Sequence, residues 1–386
     1  MKTREKRGAT IGTEPARTPS APGGFSLLEL LVAMAIFTAV SAAAFTLFNQ
    51  QQASANQEQG QVGLNIGLRN ALSMIQMDVA NAGSGLLAGA NVPSWPVGVT
   101  FSLPPSGTCY TAGNPPSYSA ACFDSLNIIA ASSGAVPANA TDSTGGNTGA
   151  NCSDTSAGTA YTQAAAGLTL ANTAAQFTNG SQLLFVSSNG RKITTVILTG
   201  NASVVGSAVQ LTFGATNAAG INASDPLSIA TQALVNNVVN DVWTDTAAFS
   251  DQLTNQFCGS DWVIKLAPIT YQVSTTNAGD PQLTRTQNGS TTVVMDQVIG
   301  FKVGASVWND GSGGTDSTYA PYYYDPSAFP NPNDFALIRS VRVSLIARTA
   351  PNTNPTYTFR NSFDGGPYQI QGAAVVVNPR NMSMND

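Results

Sequence analysis

Histidine is absent from this 386-residue chain, and its absence removes a large part of ordinary catalytic and metal chemistry. A Ser-His-Asp or Cys-His nucleophile and the common zinc hydrolase sites all need an imidazole. Charge is scarce as well: Asp, Glu, Lys and Arg make up 10% of the residues, against about 25% in average domains. No glutamate follows Glu58. Carboxylate pairs remain as a route to catalysis, yet the sparse acidic residues form no recognised motif, so no catalytic residue, cofactor or enzymatic role is expected. The four cysteines, Cys109, Cys122, Cys152 and Cys258, show no CxxC spacing, and with no histidine to join them no metal site is expected.

What the chain does contain is a basic leader followed by one long apolar run. Phe25 to Phe48 carries a single charge, Glu29, and follows Gly23-Gly24 directly. As a helix it would extend roughly 36 Å, against about 30 Å for the hydrocarbon core of a bilayer. The run can span a membrane, and a carboxylate near mid-bilayer would cost on the order of 2.5–3.5 kcal/mol, so Glu29 calls for a partner and a task. In the leader, Lys2, Arg4, Lys6, Arg7 and Arg17 outnumber Glu5 and Glu14. The excess of positive charge keeps the leader in the cytoplasm and exports everything after Phe48.

Removing those five basic and two acidic residues takes the formal charge from −5 to −8. Such a balance is unsuited to coating a polyanion, and no nucleic acid is expected as a partner. Outside the cytoplasm an even cysteine count favours disulfides, with three pairings open on paper. Cys109 with Cys122 is favoured because the segment between them carries Gly113, Pro115 and Pro116 and reads as a closed loop; Cys152 with Cys258 then follows by elimination.

An ordinary secretory signal would also present a charged start, an apolar core and small residues, here Ala42-Ala43-Ala44. A carboxylate inside the apolar region and so long a leader count against it. The stretch Gly24-Phe25-Ser26-Leu27-Leu28-Glu29-Leu30-Leu31-Val32-Ala33-Met34 instead resembles the N-terminal signature of type IV prepilins and of the pseudopilins of type II secretion. The resemblance implies cleavage between Gly24 and Phe25 by prepilin peptidase, methylation of the new Phe25 amine, and a role for Glu29 in assembly. A carboxylate and an ammonium in low dielectric attract strongly, and either alone is costly. Pairing of Glu29 with Phe25 of a neighbouring subunit would therefore set the register of a helical bundle. The leader is longer than many in that family, and no proline interrupts the apolar helix; both point away from the major subunit.

Further along, Leu64, Leu68, Leu72, Ile75 and Val79 recur at helical spacing, so the helix is expected to continue and lay this stripe on a sheet. Gly60, Gly63 and Gly67 predict a softened or broken stretch, and Gly83-Ser84-Gly85 a stop. From about Asn91 to Ala175 the composition favours loops and short strands over a compact core, with 141–159 the most flexible. The second half reads as antiparallel sheet: Gln182 to Ser187 and Arg191 to Thr199 around a Ser188-Asn189-Gly190 hairpin, then Trp262 to Ser274, Gln282 to Thr286, Thr291 to Val307 and Phe335 to Thr349. In the last run Ile338, Val341, Val343, Leu345 and Ala347 form an apolar face, set against Arg339, Arg342, Ser344 and Arg348. Asn309 to Asp316 lacks the spacing of a calcium loop. The Tyr-rich stretch Pro321 to Asp325 reads as cover for a sheet edge, and the glycosylation-like tripeptides at Asn139, Asn201, Asn222 and Asn288 carry no inference.

Ile269 to Val273, Leu283 to Thr286, Val298 to Val303 and Val341 to Arg348 are similar to the large minor pilins of the PilW family. The expected organisation is α+β: a leader over 1–24, a transmembrane and filament-core helix over 25–48, its amphipathic continuation over 49–85, and a mainly antiparallel β head with long loops over 86–386. The resemblance implies a minor pilin that primes or caps a type IV pilus near its tip. Its partners would be prepilin peptidase, other minor pilins, the major pilin and the inner-membrane assembly platform. It would lie in the bacterial inner membrane with its head in the periplasm, and in the pilus after assembly. A tip adhesin and a type II secretion pseudopilin are the alternatives.

Overall fold

The computed structural model describes residues 26–86, 98–113, 115–146, 152–154, 158–186, 188, 192–213, 243–244, 256–277, 279–309, 314–315, 318–323, 338–352 and 359–379. The chain divides into two compact units between Gln59 and Gly60. Each has its own physical character.

The first unit contributes the start of one uninterrupted helix, Leu27–Ala80. Its large apolar side chains point outward on every side: Leu27 is 79% exposed, Phe37 71% and Phe45 68%. The helix is long and apolar enough to cross a membrane. The expected break at Gly60, Gly63 and Gly67 does not occur. Two of these glycines sit where the helix meets other chain: a Cβ on Gly67 would lie 3.2 Å from the Met295 methyl, and one on Gly60 3.4 Å from Thr349. Close packing there offsets the weak helix propensity of glycine.

In the second unit the last turns of the helix bury the predicted stripe. Leu64, Leu68, Ala71, Leu72, Ile75 and Val79 are all buried, Ile75 and Val79 fully. At about 1.5–3 kcal/mol for each large side chain removed from water, this stripe is a main attachment of the helix. After Ala80 the chain turns through Gly83 and Gly85, both with positive φ, and the Gly83 N–H is received by the Ile129 carbonyl.

Two antiparallel sheets share that core. A five-stranded sheet runs in the order Val99–Ser102, Ser125–Ile128, Ile269–Ser274, Gln282–Gln287, Ser290–Met295. A second sheet places Ile338–Arg348 between Val298–Asn309 and Ile370–Val377, with Gly314–Thr315 on the far side of Val298–Asn309. The two expected runs 262–274 and 291–307 are each cut between sheets. Trp262–Lys265 and Ile269–Ser274 belong to different sheets, as do Ser290–Met295 and Val298–Asn309. At the second cut Gln297 takes φ 57°, a conformation unusual outside glycine, and its side chain bonds Asp280 at 2.8 Å.

Between Asn91 and Ala175 the strands are as short as expected, but the expectation that no compact core forms there is corrected, because Ala138, Ala140, Ala160, Ala165 and Ala174 belong to one. Ser125–Ile128 pairs directly with Ile269–Ser274, and the chain between them builds an eight-stranded sheet. Ala138–Thr141 and Thr159–Thr162 are inner strands of that sheet. Its strand Gln182–Val186 is buried on both faces: Leu184 and Val186 join the helix-bearing core, while Leu183 and Phe185 join a second one. In this second core Phe185 packs against Phe257 and Phe213, with ring centroids 5.4 and 6.3 Å apart. The small Ala and Thr strands are held by phenylalanines from remote parts of the chain, which composition averaged over a local window does not register.

Candidate functional site

The head of the long helix is built by two reciprocal hydrogen bonds. Ser26 precedes the first helical residue, and its Oγ accepts from the Glu29 N–H at 3.2 Å. The Glu29 carboxylate accepts from the Ser26 N–H through Oε2 at 3.0 Å. This is a capping box, Ser-x-x-Glu, and it satisfies two of the donors that a helix start leaves open. The carboxylate also lies where the helix dipole favours negative charge. Glu29 is exposed, and Oε1 has no partner among the described residues. Glu29 thus has a local task, and one oxygen remains for a donor from elsewhere. The Ser-x-x-Glu spacing at 26–29 is the sequence signal for this box. Gly24 and Phe25, the expected processing site, lie outside the described residues.

Both disulfides are present, Cys109 to Cys122 and Cys152 to Cys258. The first closes the short loop; the second ties the paired strands Cys152–Asp154 and Gln256–Cys258 in the inserted region. Among the described residues no group of three metal-ligating side chains converges. Residues 310–313, 316 and 324–325, which the calcium and tyrosine readings touched, lie outside the described residues.

Three polar clusters lock the second unit together, and none was legible in the sequence. On the helix, Asp78 receives Arg285 Nε at 2.7 Å and Tyr271 Oη at 2.5 Å. Asp78 in turn holds the Arg285 guanidinium above its usual pKa, and burial drives the Tyr271 phenol well up. At the far end of Ile338–Arg348, Arg348 is 1% exposed, although its place in the strand suggested a solvent face. Its guanidinium bonds Gln297 Oε1 at 2.6 Å and the Gly279 and Pro116 carbonyls at 2.6 and 3.3 Å. The Tyr368 ring lies 4.5 Å from it. Asp364 accepts from the hydroxyls of both Tyr118 and Tyr368. Burial pushes Asp364 up, but those bonds, with others from Gly366 and Asn361, more than offset it and hold it below the ordinary carboxylate range.

The third cluster borders a cleft of about 490 Å³. Asp124, 2% exposed, receives Lys302 Nζ at 2.8 Å, the Val303 N–H at 2.9 Å and the Tyr323 hydroxyl at 3.0 Å. Burial and the Asp124 charge push the Tyr323 phenol up to about 12.

Residues 20–45 match the prokaryotic N-terminal methylation motif. Ser26 and Glu29 lie inside the matched segment. A type IV-like pilin from Thermus thermophilus is 14% identical over 31% of this chain and 68% of its own, with a TM-score of 0.17. No curated protein matches.

Proposed function

We propose that this protein is a minor pilin of the type IV class, processed by prepilin peptidase between Gly24 and Phe25 and methylated on Phe25. The observation that carries the reading is the methylation motif at 20–45, whose residues 27–45 lie in the membrane-length helix. The capping box adds a mechanism. Both of its bonds lie beyond the cleavage point, so the box survives removal of the leader and keeps the carboxylate at the helix head. Glu29 Oε1 is then available to a methylated ammonium on a neighbouring subunit, and leaving that charge unpaired in lipid is expensive.

In this proposal 1–24 is the leader, 25–48 the filament-core helix, 49–85 its continuation and 86–386 the head, held in the periplasm by the positive-inside rule. A head with two hydrophobic cores is difficult to repeat at every position of a packed filament. It suits a few copies at or near the tip, priming assembly for the major pilin with other minor pilins and the membrane platform. Mass analysis of the N-terminal peptide of membrane-purified protein tests the processing. A methylated peptide beginning at Phe25 is expected; a start at Met1 or beyond Ala42 overturns it. Deletion tests the role: loss of filaments supports priming, loss of attachment alone supports a tip adhesin, and loss of protein export alone supports a secretion pseudopilin.

A further inference from the structure

We infer that the cleft beside Asp124 is a binding site for a carboxylated saccharide, anchored by the Arg342 guanidinium. This stands apart from the assembly reading and would hold for a head in any filament.

Arg342 and Lys302 project from the same face of neighbouring strands. Gly304 pairs with Arg342 and Lys302 with Ser344, so the two cations are diagonal neighbours with backbones about 7–8 Å apart. Their situations differ. Lys302 is neutralised by Asp124, whose carboxylate has a full set of donors. Arg342 is exposed and, among the described residues, makes no hydrogen bond or ion pair. Among the described residues the lining therefore carries one uncompensated positive charge, in a protein whose net charge is −5.

Among the described residues the rest of the lining is uncharged and includes the hydroxyl-bearing Thr318, Tyr319, Tyr323 and Ser344. Tyr319 is held there by close backbone approach: its carbonyl oxygen would lie 2.7 Å from a Cβ at position 304, so only glycine admits the segment. Ser340 Oγ donates to the Tyr319 hydroxyl at 3.2 Å, and Asp124 fixes Tyr323. A guanidinium offers two parallel N–H donors that match a carboxylate. Rigid phenols and a hydroxyl alongside suit the ring and hydroxyls of a sugar. The volume falls among small-molecule sites. An acidic peptide would lack the sugar ring and hydroxyls that the phenols and hydroxyls of the lining suit.

The test uses the full-length chain in detergent micelles, with digalacturonate, its uncharged methyl ester, sodium sulfate and an acidic peptide as probes, read by saturation-transfer NMR and calorimetry. Digalacturonate should bind with a Kd of about 1 mM or tighter, and Arg342→Gln should weaken it about tenfold or more. Because Arg342 is exposed, the melting temperature of the variant should match the parent; Arg342→Lys should keep part of the affinity. The proposal is overturned if the parent does not bind digalacturonate, if the ester, sulfate or peptide binds equally well, or if Arg342→Gln binds undiminished.

Discussion

The two compact units solve opposite problems with the same kinds of side chain. In Leu27–Phe48 leucines and phenylalanines surround the helix and remain exposed, and the side-chain hydrogen bonds at its head, among the described residues, are those of the Ser26–Glu29 box. In the second unit the same helix buries one stripe, Leu64 to Val79, while Val62, Ile66, Met74 and Met77 stay exposed, and it adds an ion pair at Asp78. A helix apolar all round needs lipid or other helices as its solvent, whereas a striped one needs a sheet of its own chain. One element thus carries an all-round apolar start of membrane length and a stripe for folding at its end.

The sharpest way to break this contrast is to place a carboxylate in each half. Leu68→Asp should unfold the head, because an unpaired buried charge costs several kcal/mol; loss of the cooperative melt by circular dichroism checks it. Leu31→Asp should leave that melt in place and reduce retention in the membrane fraction. Next in size, Arg348→Ala removes a buried guanidinium and strands three acceptors, with an expected loss of about 3–5 kcal/mol by urea denaturation. Asp78→Ala should cost about 2–3 kcal/mol, since it leaves Arg285 and Tyr271 without their shared acceptor.

Alkali should separate the units too. Tyr323 and Tyr368 titrate near 12 in the folded head, both pushed up mainly by burial, against about 10 when unfolded. A raised folded pKa gives stability that is complete below pH 10 and lost as pH climbs from about 10 to 12. The first half of the helix has no tyrosine and should not respond; Tyr323→Phe should flatten part of the head's decline. The smallest effect on the head is that of Glu29→Ala. Its melt should shift by less than about 0.5 kcal/mol, while incorporation into filaments, measured in sheared fractions, should be lost. Normal incorporation would refute the pairing role.

Legibility followed the range of the interaction. The stripe Leu64 to Val79 and the alternation Ile338 to Ala347 were visible because each is periodic within one element, and their apolar members are buried. The capping box was equally local. Arg348 was misplaced on the solvent face because its partners come from 116, 279, 297 and 368, which no periodicity connects. The strands Ala138–Thr141 and Thr159–Thr162 were missed for the same reason: they have little hydrophobicity of their own and are completed by distant aromatic rings.

By itself the sequence determined the membrane-length helix, its capped and acidic head, the methylation motif and the stripe that holds the head, because all of these are written in neighbouring residues. Tertiary structure alone decided where the strand runs divide between sheets, that residues 129–268 build a second core, and that Arg348 is buried while Arg342 faces an open cleft. Those outcomes depend on which remote groups desolvate or satisfy a side chain, and spacing along the chain does not encode that.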